Sequence, residues 1–113
     1  MLYKSFTVGE KEYKARLTAK ACVDLEKKMG QNPLNVFAAM AETQQVPKLE
    51  DLLMVLHASL TSFNHGFSLE DTYTLYDTMA DQGMTIMELI PLIMDIFKVS
   101  GFFSESNTPE KNA

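Results

Sequence analysis

Strict alternation of apolar and polar residues appears once, near the start of the chain. Tyr13, Ala15 and Leu17 fall on one face and Lys14 and Arg16 on the other, the period-two signature of a half-buried strand. Tyr3–Val8 and Glu12–Leu17 are predicted as two strands joined by Gly9-Glu10-Lys11. A lone hairpin is marginal in water, so its apolar face must rest on helices.

From Thr18 onward the period changes to helical. Thr18 caps a predicted helix to about Met29, stopped by Gly30, with Ala21, Cys22, Leu25 and Met29 inward. Asn32-Pro33 restarts the chain, because Asn caps and Pro needs no N–H at the first helical position. This second helix, through about Glu42, offers Leu34, Phe37, Ala38 and Ala41. A third, Leu49 to Phe63, carries Leu49, Leu52, Leu53, Leu56, Leu60 and Phe63 as its stripe, with Glu50 and Asp51 suiting the dipole of its first turn. Ser68 with Asp71 opens a fourth helix, predicted to bury Leu69, Tyr73, Tyr76 and Ala80 and to end at Gly83. Thr85 with Glu88 opens a fifth, running to about Val99.

The fifth helix is apolar on nearly every face, and Pro91 inside it is expected to bend it or delay its start. Such a helix is either central to the core or covered by a partner. Ile90, Ile93, Met94, Phe97, Phe102 and Phe103 are therefore the candidate partner-binding residues. Eight methionines add to the picture. Most serve as core filler, while the rest suit an adaptable apolar surface. The fold expected is α+β, mainly α: an N-terminal β-hairpin packed on about five helices, with residues 1–103 as one domain and 104–113 as a mobile polar tail.

Composition narrows the function classes. One cysteine, Cys22, excludes an intramolecular disulfide framework and fits a reducing compartment. No signal peptide or membrane span is read from the sequence. Net charge is −5, divided as +3 over residues 1–28 and −8 over residues 29–113, which disfavours nucleic acid as a partner. His57 and His65 stand eight residues apart, about 12 Å along a continuous helix, too far to share a metal. No phosphate loop, EF-hand or HExxH motif occurs. No cofactor and no enzymatic activity are expected.

Three stretches carry a family resemblance: LTAKACVDLEKKMGQNPLN, LHASLTSFNHGFSLEDTYTLYD and LIPLIMDIFKVSGF. Over roughly residues 1–103 the chain resembles the tail assembly chaperones of long-tailed phages and prophages of Gram-positive bacteria. The resemblance implies a non-catalytic protein of the host bacterial cytoplasm, absent from the mature virion, that coats the aggregation-prone tape measure protein. It also implies a longer, frameshifted product that recruits tail tube protein. Self-association is a further expectation. The runner-up class is a structural virion subunit such as a head–tail connector component, and an acidic anti-host regulator ranks last.

The same resemblance yields a test at the level of the gene. If Glu110-Lys111-Asn112 is coded GAA AAA AAC, the heptamer A AAA AAC lets paired tRNAs slip back one base. An open −1 frame continuing past this point is the expected finding. Lysine coded as AAG would remove the site.

Overall fold

A computed structural model describes residues 2–103; the expected mobile tail, 104–113, lies outside the described residues. The hairpin forms as strand β1 (Lys4–Val8) paired antiparallel with β2 (Lys11–Ala15), Phe6 opposite Tyr13. Its loop is two residues, Gly9-Glu10, one shorter than expected, because Lys11 pairs with Val8. Side-chain alternation holds. Lys4, Phe6, Val8, Tyr13 and Ala15 share the inner face, where Phe6 stacks on Tyr13 at 5.6 Å, and Ser5, Thr7, Glu12 and Lys14 form the polar outer face.

Five helices follow: α1 (Ala19–Met29), α2 (Pro33–Thr43), α3 (Leu49–Leu60), α4 (Leu69–Asp81) and α5 (Ile86–Val99). The chain is therefore α+β and mainly α. Helix starts follow the capping residues, since a cap satisfies main-chain donors that the helix leaves unpaired. Thr18 Oγ1 accepts from Ala21 N at 3.2 Å, and Asn32 Oδ1 from Leu34 N at 2.9 Å. Ser68 and Asp71 bond reciprocally at 2.9 and 3.0 Å, and Thr85 N donates to Glu88 Oε1 at 3.0 Å. Lys48 caps α3 without a side-chain bond; Glu50 and Asp51 in the first turn answer its dipole instead.

Three helical stripes differ from the periodic reading. Helix α3 ends at Leu60 because the Leu60 carbonyl accepts from the main-chain N–H of Phe63 and Asn64 and from Asn64 Nδ2, tightening the chain into a turn. Phe63 then lies 37 % exposed, edge-on to Tyr3 at 5.5 Å. In α4 the buried row is Thr72, Leu75 and Met79, while Tyr73 and Ala80 face solvent. Burying Thr72 is cheap because its hydroxyl donates to Ser68 O at 3.1 Å, a bond that hydrophobic periodicity does not register. On α2, Ala38 is exposed, while Pro33 and Phe37 are buried, the Phe37 ring 5.2 Å from that of Phe97; Ala41 lies outside the described side chains.

Helix α3 lies at the centre and touches α1, α4, α5 and β2. Leu52, Val55, Leu56 and Leu60 are fully buried along it, and Leu89, Ile93, Ile96 and Phe97 match them on α5. Pro91 does not break α5. The bond it removes would end on the carbonyl of Met87, an exposed residue, so the missing donor leaves no buried carbonyl unpaired.

The hairpin is pinned at both ends. At its exit, Arg16 N donates to Ser59 O at 2.9 Å, Ser62 Oγ donates to Arg16 O at 3.1 Å, and Leu17 N donates to Ser100 Oγ at 2.8 Å. At its tip, Gly9 N donates to Gln82 Oε1 at 2.8 Å from a left-handed φ of 65°. A Cβ on Gly9 would stand 3.1 Å from Gln82 Nε2. Gly9→Ala is expected to cost about 1–3 kcal/mol in urea unfolding, more than Gln82→Ala, which removes only the bond.

Candidate functional site

Three of the six residues nominated from the sequence sit inside the domain, and three are half-buried. Ile93 and Phe97 are fully buried and Ile90 is 8 % exposed. Phe102 and Phe103 are half-buried against the Phe97 ring, at 6.4 and 5.3 Å, and Met94 is half-buried against the core. The large apolar side chain of α5 that does reach solvent is Met87, 65 % exposed. Helix α5 is apolar all round because α3, the hairpin and the Phe102-Phe103 turn cover it from within the same chain. Half of the expected surface is therefore core, where a partner could reach Ile90, Ile93 and Phe97 only by opening the domain, while Met94, Phe102 and Phe103 keep some exposure.

Two concavities flank α3 instead. A cleft of about 350 Å³ lies between α1 and α3, floored by Ala21, Leu25, Met54, Ala58 and Leu69 and rimmed by Lys20, Asp24 and Lys28. The alanines on the facing helices leave room that larger side chains would fill. Its polar groups are already engaged. His57 Nε2 lies 2.9 Å from Phe67 O, Thr61 Oγ1 donates to Ala58 O at 2.8 Å, and Ser62 Oγ serves Arg16 O. These hydroxyls are held by main-chain carbonyls, so the cleft offers an apolar receptacle rather than a nucleophile paired with a base.

A second groove, about 270 Å³, runs between α3 and α4 and is lined by Leu49, Glu50, Leu53, Tyr73, Tyr76 and Asp77. Sequence reading placed Leu49 and Tyr73 in the core; they are 42 % and 39 % exposed here. A one-residue error in the phase of α4, about 100° of rotation, is what hid this groove. A tyrosine tolerates such a half-exposed position because its hydroxyl meets water while its ring packs.

Titratable groups add little chemistry. Cys22 is 5 % exposed, and burial first, then the Glu26 carboxylate, push its thiol above the usual range, toward the unreactive neutral form. Hydrogen bonds from Ser68 hold the exposed Asp71 carboxyl below the usual carboxylate range, as an N-terminal cap requires. Among the described residues no three His, Cys, Asp or Glu side chains converge as a metal site, and no helix is long and apolar enough to cross a membrane.

A family of unknown function, DUF6096, matches residues 2–112 of the chain. The chain belongs to this family. No curated protein matches it, and no solved structure does. DUF6096 membership covers the hairpin and all five helices, so core and clefts lie within the matched length.

Burial separates the two ends of α5 by experiment. Ile93→Asp places an unpaired carboxylate in the core and is expected to cost more than about 4 kcal/mol, abolishing the cooperative thermal transition in circular dichroism. Met87→Asp, in the exposed first turn, should hold stability within about 0.5 kcal/mol.

Proposed function

We propose that this DUF6096 protein is a non-catalytic tail assembly chaperone of a long-tailed phage or prophage, which holds the helical tape measure protein soluble until the tail tube forms around it. The observation that carries this reading is the α1–α3 cleft, an apolar floor of Leu25, Met54, Ala58 and Leu69 inside a charged rim. Such a cleft accepts the apolar residues of an amphipathic helix, and the rim answers its polar flank. The three stretches that resemble tail assembly chaperones support the same reading, and LTAKACVDLEKKMG and LHASLTSF supply most of the cleft. The working place on this reading is the bacterial cytoplasm, with tail tube protein engaged through a frameshifted extension and no place in the finished particle.

Coexpression with the long helical open reading frame beside its gene tests the proposal. The two products should copurify, and the tape measure protein alone should be insoluble. Thr61→Arg places a charge at the exposed end of the cleft and should lower copurification about ten-fold with the fold retained. An unaffected yield would move the client elsewhere; no copurification, or recovery of this protein from purified virions, would overturn the assignment.

A further inference from the structure

The α3–α4 groove has an apolar wall with acids on its edge. Leu49 and Tyr73 stand exposed in it, Tyr76 is half-buried, and Glu50 and Asp77 line it. Glu70, Tyr73, Asp77 and Asp81 follow one another at spacings of three and four along α4, one exposed stripe. Neither Glu50 nor Asp77 has a cation within 4 Å among the described residues, where the ion pairs are Lys4–Asp95 and Lys20–Asp24. Two uncompensated carboxylates beside exposed aromatic rings fit a cationic side chain with an apolar stem.

The outer face of α1 has the complementary pattern. Val23 is 47 % exposed, with Lys20 three residues before it and Lys27 four after, while Cys22 and Leu25 point inward. Lys27 makes no ion pair among the described residues. Helices α1 and α4 each pack on α3, so a chain can present both surfaces at once.

We propose that the α3–α4 groove receives α1 of a second copy of this chain, Val23 against Leu49 and Tyr73, and Lys27 facing Asp77 and Glu50. The contact joins two different surfaces, so it is heterologous and propagates copy to copy as a ring or a short filament. It goes beyond the chaperone reading and needs no client. A contact between one helix face and one short groove is small, so association is weak, salt-sensitive and concentration-dependent.

Sedimentation velocity over a concentration series tests it, with K27E and D77K as the variants. Both positions are exposed, and circular dichroism is the check that each variant folds. Wild type should associate, and each variant alone should remain monomeric, with affinity lowered about ten-fold or more. An equimolar mixture of K27E and D77K should recover association, because the wild-type pairing forms at one junction and the reversed charge pair at the next. The double swap K27E/D77K should recover self-association. A wild type monomeric up to about 1 mM, a weak but still specific affinity, would overturn the proposal, as would variants that associate like wild type. Chemical-shift changes at Tyr73 and Tyr76 on adding a Leu/Lys amphipathic peptide to a monomeric wild type would assign the groove to a different partner and overturn it equally.

Discussion

Arg16 and Leu17 carry the main chain out of the hairpin and into the core, between two fully buried side chains, Ala15 and Leu17. Main-chain donors and acceptors that leave water must find partners, and an unpaired one costs as much as a lost hydrogen bond. The partners come from three places distant in sequence: Ser59 O on α3, Ser62 just after it, and Ser100 at the end of α5. The C-terminal ends of α3 and α5 are thereby drawn to the same two residues. Once they converge there, the faces of α3 and α5 that carry Leu56, Leu60, Ile93 and Ile96 are brought into one core. The hairpin is thus the clamp that lets α5 be apolar all round without exposing it.

Local chemistry and packing were legible in the sequence to different degrees. Thr18, Asn32, Ser68 and Thr85 could be read as helix starts because capping is settled within three or four residues of chain. Strand alternation was legible for the same reason. Which face of α4 turns inward was not, because Thr72 is buried with its hydroxyl bonded to Ser68 O while Tyr73 is left partly wet. Hydrophobicity ranks tyrosine above threonine for burial, and a satisfied hydroxyl reverses the order. The candidate site was legible only in part, for a related reason. An all-apolar helix has two explanations, and only tertiary contacts distinguish a helix covered by its own chain from one awaiting another.

The correction to α5 changes what the apolar excess does. Its side chains, with Phe37, Phe102 and Phe103, form an aromatic lock around Phe97 that ties α2 and the C-terminal turn to the core. Helix α2 adds the buried Pro33 and the partly buried Leu34, Val36 and Met40 to the core edge, with α1 its main helical neighbour. The apolar surface left to solvent is scattered: Leu2, Val23, Leu49, Tyr73 and Met87 lie on separate elements with charged residues between them. Scattered exposure of this kind is ordinary for a soluble surface, and only where it lines a concavity does it acquire shape.

Charge is segregated about α3 as well as along the chain. The basic first quarter of the sequence becomes the hairpin and α1, so Lys20 and Lys28 edge the cleft on one side of the central helix. The acidic remainder supplies Glu50 and Asp77 to the groove on the other side. Both concavities have Leu or Met floors, so apolar burial alone would make them equivalent sites. Their rims make them different. An apolar floor contributes affinity to any helix that fits, whereas rim charge chooses among helices and sets how quickly they arrive. A neutral chain with the same core would have two unspecific apolar slots; the polarity imposed by the charge split gives the domain two distinguishable faces, and head-to-tail order between copies requires that distinction.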